Sequence, residues 1–253
     1  AKNTDNNFII PVLIASIIPI INFLLVFFYL PETKPNKTSN KLKTILKNPL
    51  KQLFQVFKEQ KIRKLSLAFF IYFIAFTGLT NILIFFLQES LGWTTKSSSG
   101  TLVVVGIIAI IVQGVLIGPL VKQFGEMRLT LIGSGFILIA CILLITSPKE
   151  DATINIYSAV SFLAIGAGLI TPTLRALISK KLDVDKQGSI LSNLQGLQSL
   201  GGVLGIAMAG RVYDSFGPKS PFIAGSIILI FMIYLIAEGK NNNSFNDHKS
   251  NVY

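Results

Sequence analysis

The side chains able to do chemistry in this sequence are few, and most are uncharged. It holds one histidine, His248 near the C-terminus, and one cysteine, Cys141 inside a long apolar run. One of each assembles neither a Cys/His metal site nor a disulfide framework within the chain. Asn81, Gln113, Asn193, Gln195 and Gln198 instead stand inside stretches free of charged residues. Amides so placed either hydrogen-bond from helix to helix, worth about 0.6 kcal/mol each, or face a cavity where a solute is held. Gln195 and Gln198 are three apart and share one face of a helix. Tyr72, Phe73 and Phe76 stand at helical spacing and offer either an aromatic wall for a lipophilic solute or packing within a bundle. No Asp, Glu, Lys or Arg stands in the middle of any such stretch. Arg175 and Arg211 lie near the ends, where long basic side chains can snorkel to the interface. The candidates for contact with a solute are therefore neutral.

The elements that position these residues follow from where charge is missing. Hydrophobic residues make up 51% of the 253, and charged residues only 14%, against roughly 25% charged in a soluble globule. The uncharged runs are 6–31, 65–88, 97–121, 129–148, 152–174, 187–210 and 220–237. Each matches the roughly 17–25 apolar residues that cross a hydrocarbon core as a helix. The expected fold class is thus all-α and integral to a membrane, with about seven transmembrane helices. A membrane enzyme is excluded, since it would need clustered His, Asp, Glu or Ser–Lys groups within the spans.

The net charge of +11 does not point to nucleic acid, because ten of the 23 Lys and Arg crowd between Lys34 and Lys64. Such a segment between two spans reads as a loop beside anionic lipid. Around it Leu50, Leu53, Phe54 and Phe57 fall at helical spacing among Lys47, Lys51, Lys58, Lys61 and Lys64. That pattern fits a short interfacial helix with its apolar face down, and equally a solvated basic linker. Alternating sides along seven spans puts eighteen Lys and Arg on one face and five on the other. The richer face is expected to be cytoplasmic, with the N-terminus outside and the C-terminus inside. An external start with no initiator methionine leads us to expect that an upstream half is missing.

The order of these segments resembles the major facilitator superfamily from its sixth helix onward. A span ends in Leu30-Pro31-Glu32-Thr33-Lys34, a long basic loop follows, and six spans come after it. The resemblance covers the whole chain. It implies helix six in 1–31, the loop between the two halves in 32–64, the C-terminal six-helix bundle in 65–238 and a cytoplasmic tail in 239–253. The run Gly118-Pro119-Leu120-Val121-Lys122-Gln123-Phe124-Gly125-Glu126-Met127-Arg128 is similar to the second, degenerate copy of the family's Gly-x-Leu-x-Asp-x-x-Gly-x-Arg-x-Arg signature. By that likeness Gly118, Lys122, Gly125 and Arg128 form a cytoplasmic gating turn, although Lys122 stands where the first-half copy is acidic. Pro172-Thr173-Leu174-Arg175, followed by Gln187-Gly188-Ser189, looks like the junction of helices ten and eleven in drug:proton antiporters of the tetracycline-resistance type.

The resemblance implies a secondary transporter of a multi-pass plasma membrane, exporting small lipophilic drugs or metabolites by alternating access. The proton gradient would drive it, without a cofactor. The coupling carboxylate is then expected in the other half of the transporter, because these spans carry none near their middles. Its partners would be the bilayer, a small-molecule substrate and that missing half. A carrier for sugars or other metabolites remains the alternative, and a seven-span receptor a remote one. Gly166, Gly168 and Pro172 are read as a helix bend usable in gating. Gly201, Gly202, Gly205 and Gly210 are read as a close-packing stripe.

Overall fold

Long charge-free runs interrupted by one or two polar residues become helices joined by very short turns. A computed structural model of the chain describes residues 9–29, 53–148 and 152–250. The chain divides into two units, 1–48 and 49–253. In the first, α1 spans Ile9–Tyr29 and accommodates Pro19 within its 21 residues.

The second unit holds six helices: α2 (Arg63–Ser90), α3 (Thr95–Phe124), α4 (Glu126–Thr146), α5 (Thr153–Ser179), α6 (Val184–Phe216) and α7 (Ser220–Ser250). No strand occurs among the described residues. Five of these six helices are long and apolar enough to cross a membrane, α7 by its Ser220–Glu238 part. The exception is α6, which is long enough at 33 residues but diluted by its glycines, serines and amides. Of the interfacial helix expected around Leu50, Leu53, Phe54 and Phe57, the described part is one 3-10 turn, Phe54–Phe57. Its Val56 is fully buried, and Leu53 and Phe57 pack on the core. Leu50, Lys47 and Lys51 lie outside the described residues.

Two crossings carry the bundle, and at each a glycine pair lets backbones touch. On α4 and α5, a Cβ on Gly166 would stand 2.5 Å from the Gly133 carbonyl oxygen, and one on Gly133 would stand 2.9 Å from that of Gly166. On α2 and α6, Gly78 would meet the Gly205 carbonyl at 2.8 Å, and Gly205 would run into the carbonyl of Ile74. Without a hydrophobic drive between helices in lipid, such close approach supplies the van der Waals and Cα–H contacts that hold them. Of the expected glycine stripe, Gly201, Gly202 and Gly205 face α2, whereas Gly210 has open space beside it. Around these crossings α7 packs on α2 and α4, and α3 packs on α5.

The expected gating turn is shorter than its sequence suggests. Helix α3 runs to Phe124 and α4 begins at Glu126, so the turn is Gly125 alone, at φ +75°. Glycine reaches that region without the steric cost a Cβ would add. Gly118 lies inside α3, Lys122 in its last turn, and Arg128 in the first turn of α4.

Candidate functional site

Two neighbouring regions inside the second unit gather most of the polar residues singled out above. The first is a cavity of about 290 Å³ bounded by α2, α3 and α5. Phe76, Thr80 and Leu83 come from α2; Thr101, Val105 and Gln113 from α3; Leu163, Ala164 and Gly168 from α5. The local backbone explains the wall on α3. Residues Ile111–Leu116 form a π segment, a widening that recurs at functional sites. Within it Val112 is buried against α5, where a Cβ on Gly168 would stand 2.9 Å from its Cγ1. Gln113, the next residue, borders the cavity.

The hydroxyls of this wall are already engaged with their own helices. Thr80 Oγ1 donates to the Phe76 carbonyl at 2.9 Å, and Thr101 Oγ1 donates to the Ser98 carbonyl at 2.6 Å. Gln113 makes no hydrogen bond among the described residues, so its amide keeps donors and acceptor available. The cavity is thus an apolar slot with one open amide. Of the aromatic trio on α2, only Phe76 borders it. Tyr72 and Phe73 are buried, with Tyr72 stacked on Phe76 at 5.5 Å between ring centroids.

The second region lies along α5 from the first, at Arg175. Arg175 does not snorkel past the end of its helix. One of its Nη2 protons goes to Gln195 Oε1 at 2.8 Å and the other to Gln198 Oε1. Its guanidinium carbon sits 5.9 Å from the centre of the Phe69 ring on α2, within cation–π range. Its Nε is buried and has no hydrogen-bond partner among the described residues. One turn earlier Thr171 Oγ1 lies 3.2 Å from the Tyr72 hydroxyl, tying α5 to α2.

A signal for this was present in the sequence. Side chains tilt toward the N-terminus of their helix, so a residue four before the end of α5 at Ser179 leans back along the helix and not past its end. The Gln195–Gln198 face was legible from spacing; its partner was not.

The remaining candidates stay apart from both regions. Asn81 is exposed and its amide donates to the Thr77 carbonyl of its own helix at 2.9 Å. Asn193 is half-buried on α6. Gly166 serves the α4–α5 crossing. Pro172 stands inside an uninterrupted α5, where it cannot donate to the Gly168 carbonyl. Lys122 and Arg128 are exposed and enter no ion pair among the described residues, while Glu126 between them pairs with Lys180 at the end of α5. Trp93 packs beside Tyr157, with ring centroids 6.0 Å apart. No group of three or more His, Cys, Asp or Glu that could hold a metal ion occurs among the described residues.

The sequence profile of the Major Facilitator Superfamily matches residues 6–206. Hippocampus abundant transcript-like protein 1 of Rattus norvegicus is 22% identical over 89% of this chain and 49% of its own length. Tetracycline resistance protein, class H, of Pasteurella multocida is 28% identical over 53% of the chain and 32% of its own length. Among solved structures, the human organic anion transporter MFSD10 (TETRAN) superposes with a TM-score of 0.73 at 19% identity, over 87% of this chain and 55% of that one. The chain spans about half the length of the first of these relatives.

Proposed function

This chain belongs to the major facilitator superfamily, and from that premise we propose that it supplies the C-terminal half of a secondary transporter that exports small, mainly apolar compounds in exchange for protons. In this reading α1 is helix six, 32–64 is the loop between halves, α2 to α7 are helices seven to twelve, and 239–253 is the tail. Five further helices, which with α1 make the other six-helix half, complete the transport path. The observation that carries the reading is the slot between α2, α3 and α5, with Phe76 on one wall and the open amide of Gln113 on another. Its size suits a small solute, and its apolar lining with few polar groups is the usual build of a small-molecule site. The likeness to a tetracycline resistance protein supports export.

The slot has no carboxylate in its lining, so we assign the proton-coupling acid to the other half. Rocking of the halves exposes the slot to each side in turn. We assign to gating the stretch of α5 that holds Gly166, Gly168 and Pro172, and the helix ends from Gly118 to Arg128 that meet at Gly125. The excess of basic residues supports a cytoplasmic tail and an external start for α1, and we assign the protein to a plasma membrane.

The test is export of a neutral lipophilic dye. The whole protein is expressed in a bacterial strain lacking its main drug exporters, and Nile red accumulation is followed by fluorescence. Accumulation should fall several-fold against an empty vector, and a protonophore should restore it. Equal accumulation with and without a well-expressed protein would refute export.

A further inference from the structure

Arg175 is charged, half-buried, and opposed by no carboxylate among the described residues. The three ion pairs described in the second unit use Lys64 with Glu238, Lys180 with Glu126 and Lys186 with Glu59. Arg175 enters none of them. Its two recorded hydrogen-bond partners, Gln195 and Gln198, are neutral amides that orient the guanidinium without cancelling its charge. Phe69 covers one face, and the buried Nε is left without an acceptor. Leaving a charge without a counter-charge is costly, and the Nη1 protons, which no described residue accepts, are left to meet an oxyanion by a charge-assisted hydrogen bond.

We propose that Arg175, held by Gln195 and Gln198, is a subsite for an oxyanion, and that the solute is an amphipathic carboxylate. This rests on the transport reading for how the solute reaches the bundle. The apolar slot and the guanidinium share α5. Gly168 borders the slot, and Arg175 follows seven residues later, about 10 Å along the helix axis. The matching solute has an apolar body of aromatic size and an acid group within about 10 Å of it. Gln113 then contacts the body and Arg175 the acid.

The experiment compares an acid with its neutral isostere. Whole protein is placed in nanodiscs of phosphatidylcholine, and equilibrium binding of radiolabelled 1-naphthaleneacetate and 1-naphthaleneacetamide is measured at neutral pH. The acid should bind about tenfold tighter or more, the usual size of a charge-assisted pair. In Arg175→Gln the ratio should fall to within about twofold. Gln198→Glu gives the guanidinium a carboxylate of its own and should erase the ratio while keeping Arg175 in place. A ratio near one in the unaltered protein, or one that persists in both variants, would overturn the subsite.

Adding phosphatidylglycerol separates the two sources of an oxyanion. A ratio that survives the lipid supports a solute acid. A ratio lost on its addition, with Arg175→Gln indifferent to it, assigns the same chemistry to a lipid headgroup and overturns the solute. Nile red export by the unaltered protein reports separately on transport. Export with a ratio that ignores Arg175 removes only the subsite; an Arg175-dependent ratio without export removes only the transport reading.

Discussion

The slot at Gln113 and the corner at Arg175 share α5, yet they are built on different physics. The slot exists because backbones come close: a π segment in α3 lays Val112 on Gly168, and the hydroxyls around it bond to their own helices. Shape and apolar area are what it offers. The corner exists because side chains from α2, α5 and α6 converge on one charge that lacks a counter-charge among the described residues. Sign and direction are what it offers. Packing alone shapes one place, while a half-buried cation sets the charge of another about two turns away. One helix can carry both because its glycines face α3 and α4 and its arginine faces α6 and α2.

The sharpest break separates the scaffolds of the two regions. Gly205→Val places a side chain against the Ile74 carbonyl at the α2–α6 crossing. Backbone cannot yield as a side-chain end can, so a loss of about 3 kcal/mol is expected. Denaturant unfolding in mixed micelles should show it, and Phe69 should be displaced from Arg175 by the same shift. An unchanged midpoint would mean that the helices do not cross there.

Removing one acceptor from the corner comes next. Gln198→Leu leaves a donor of Arg175 unmet and should cost about 1–2 kcal/mol, whereas Asn81→Leu, which breaks only a bond within its own helix, should stay within about 0.5 kcal/mol. Equal effects in the same unfolding assay would mean that Gln198 does nothing for the arginine. Gly168→Ala brings a Cβ to 2.9 Å from a Val112 methyl. That methyl can turn aside, so about 1 kcal/mol is expected, with weaker dye binding but an unaltered acid-to-amide ratio. Gln113→Leu should move stability least, within about 0.5 kcal/mol. It should shift binding of 1-naphthaleneacetamide while sparing the dependence on Arg175. A ratio that changed with Gln113 and not with Arg175 would invert the comparison.

Much of the fold was legible before the structure, because burial in lipid writes itself as runs without charge. Run 97–121 lies within helix Thr95–Phe124, and run 152–174 begins at the N-cap of helix Thr153–Ser179. The run 187–210 marks a helix whose amides and glycines keep it below the apolarity of the other five. The candidate site was legible in part. Gln113 and Phe76 border the same slot, and Gln195 and Gln198 do share a face. Spacing did not show that the exposed Asn81 amide returns to the carbonyl one turn back. Nor did it show that Gly210 has open space beside it, because membership of a glycine stripe does not say which way the helix is rotated.

By itself the sequence determined the class of environment, the helices and the short turns between them, down to Gly125 as a residue able to take positive φ. Those properties are local: they depend on what stands within a turn or a span of each residue. Only the tertiary structure decided that Arg175 turns inward to two glutamines, that Glu126 meets Lys180, and that Tyr72 is sealed away while Phe76 opens on the slot. Each of these depends on the rotation of one helix against another. That rotation is set by glycine contacts between residues far apart in the chain, Gly78 with Gly205 and Gly133 with Gly166, and no single segment carries it.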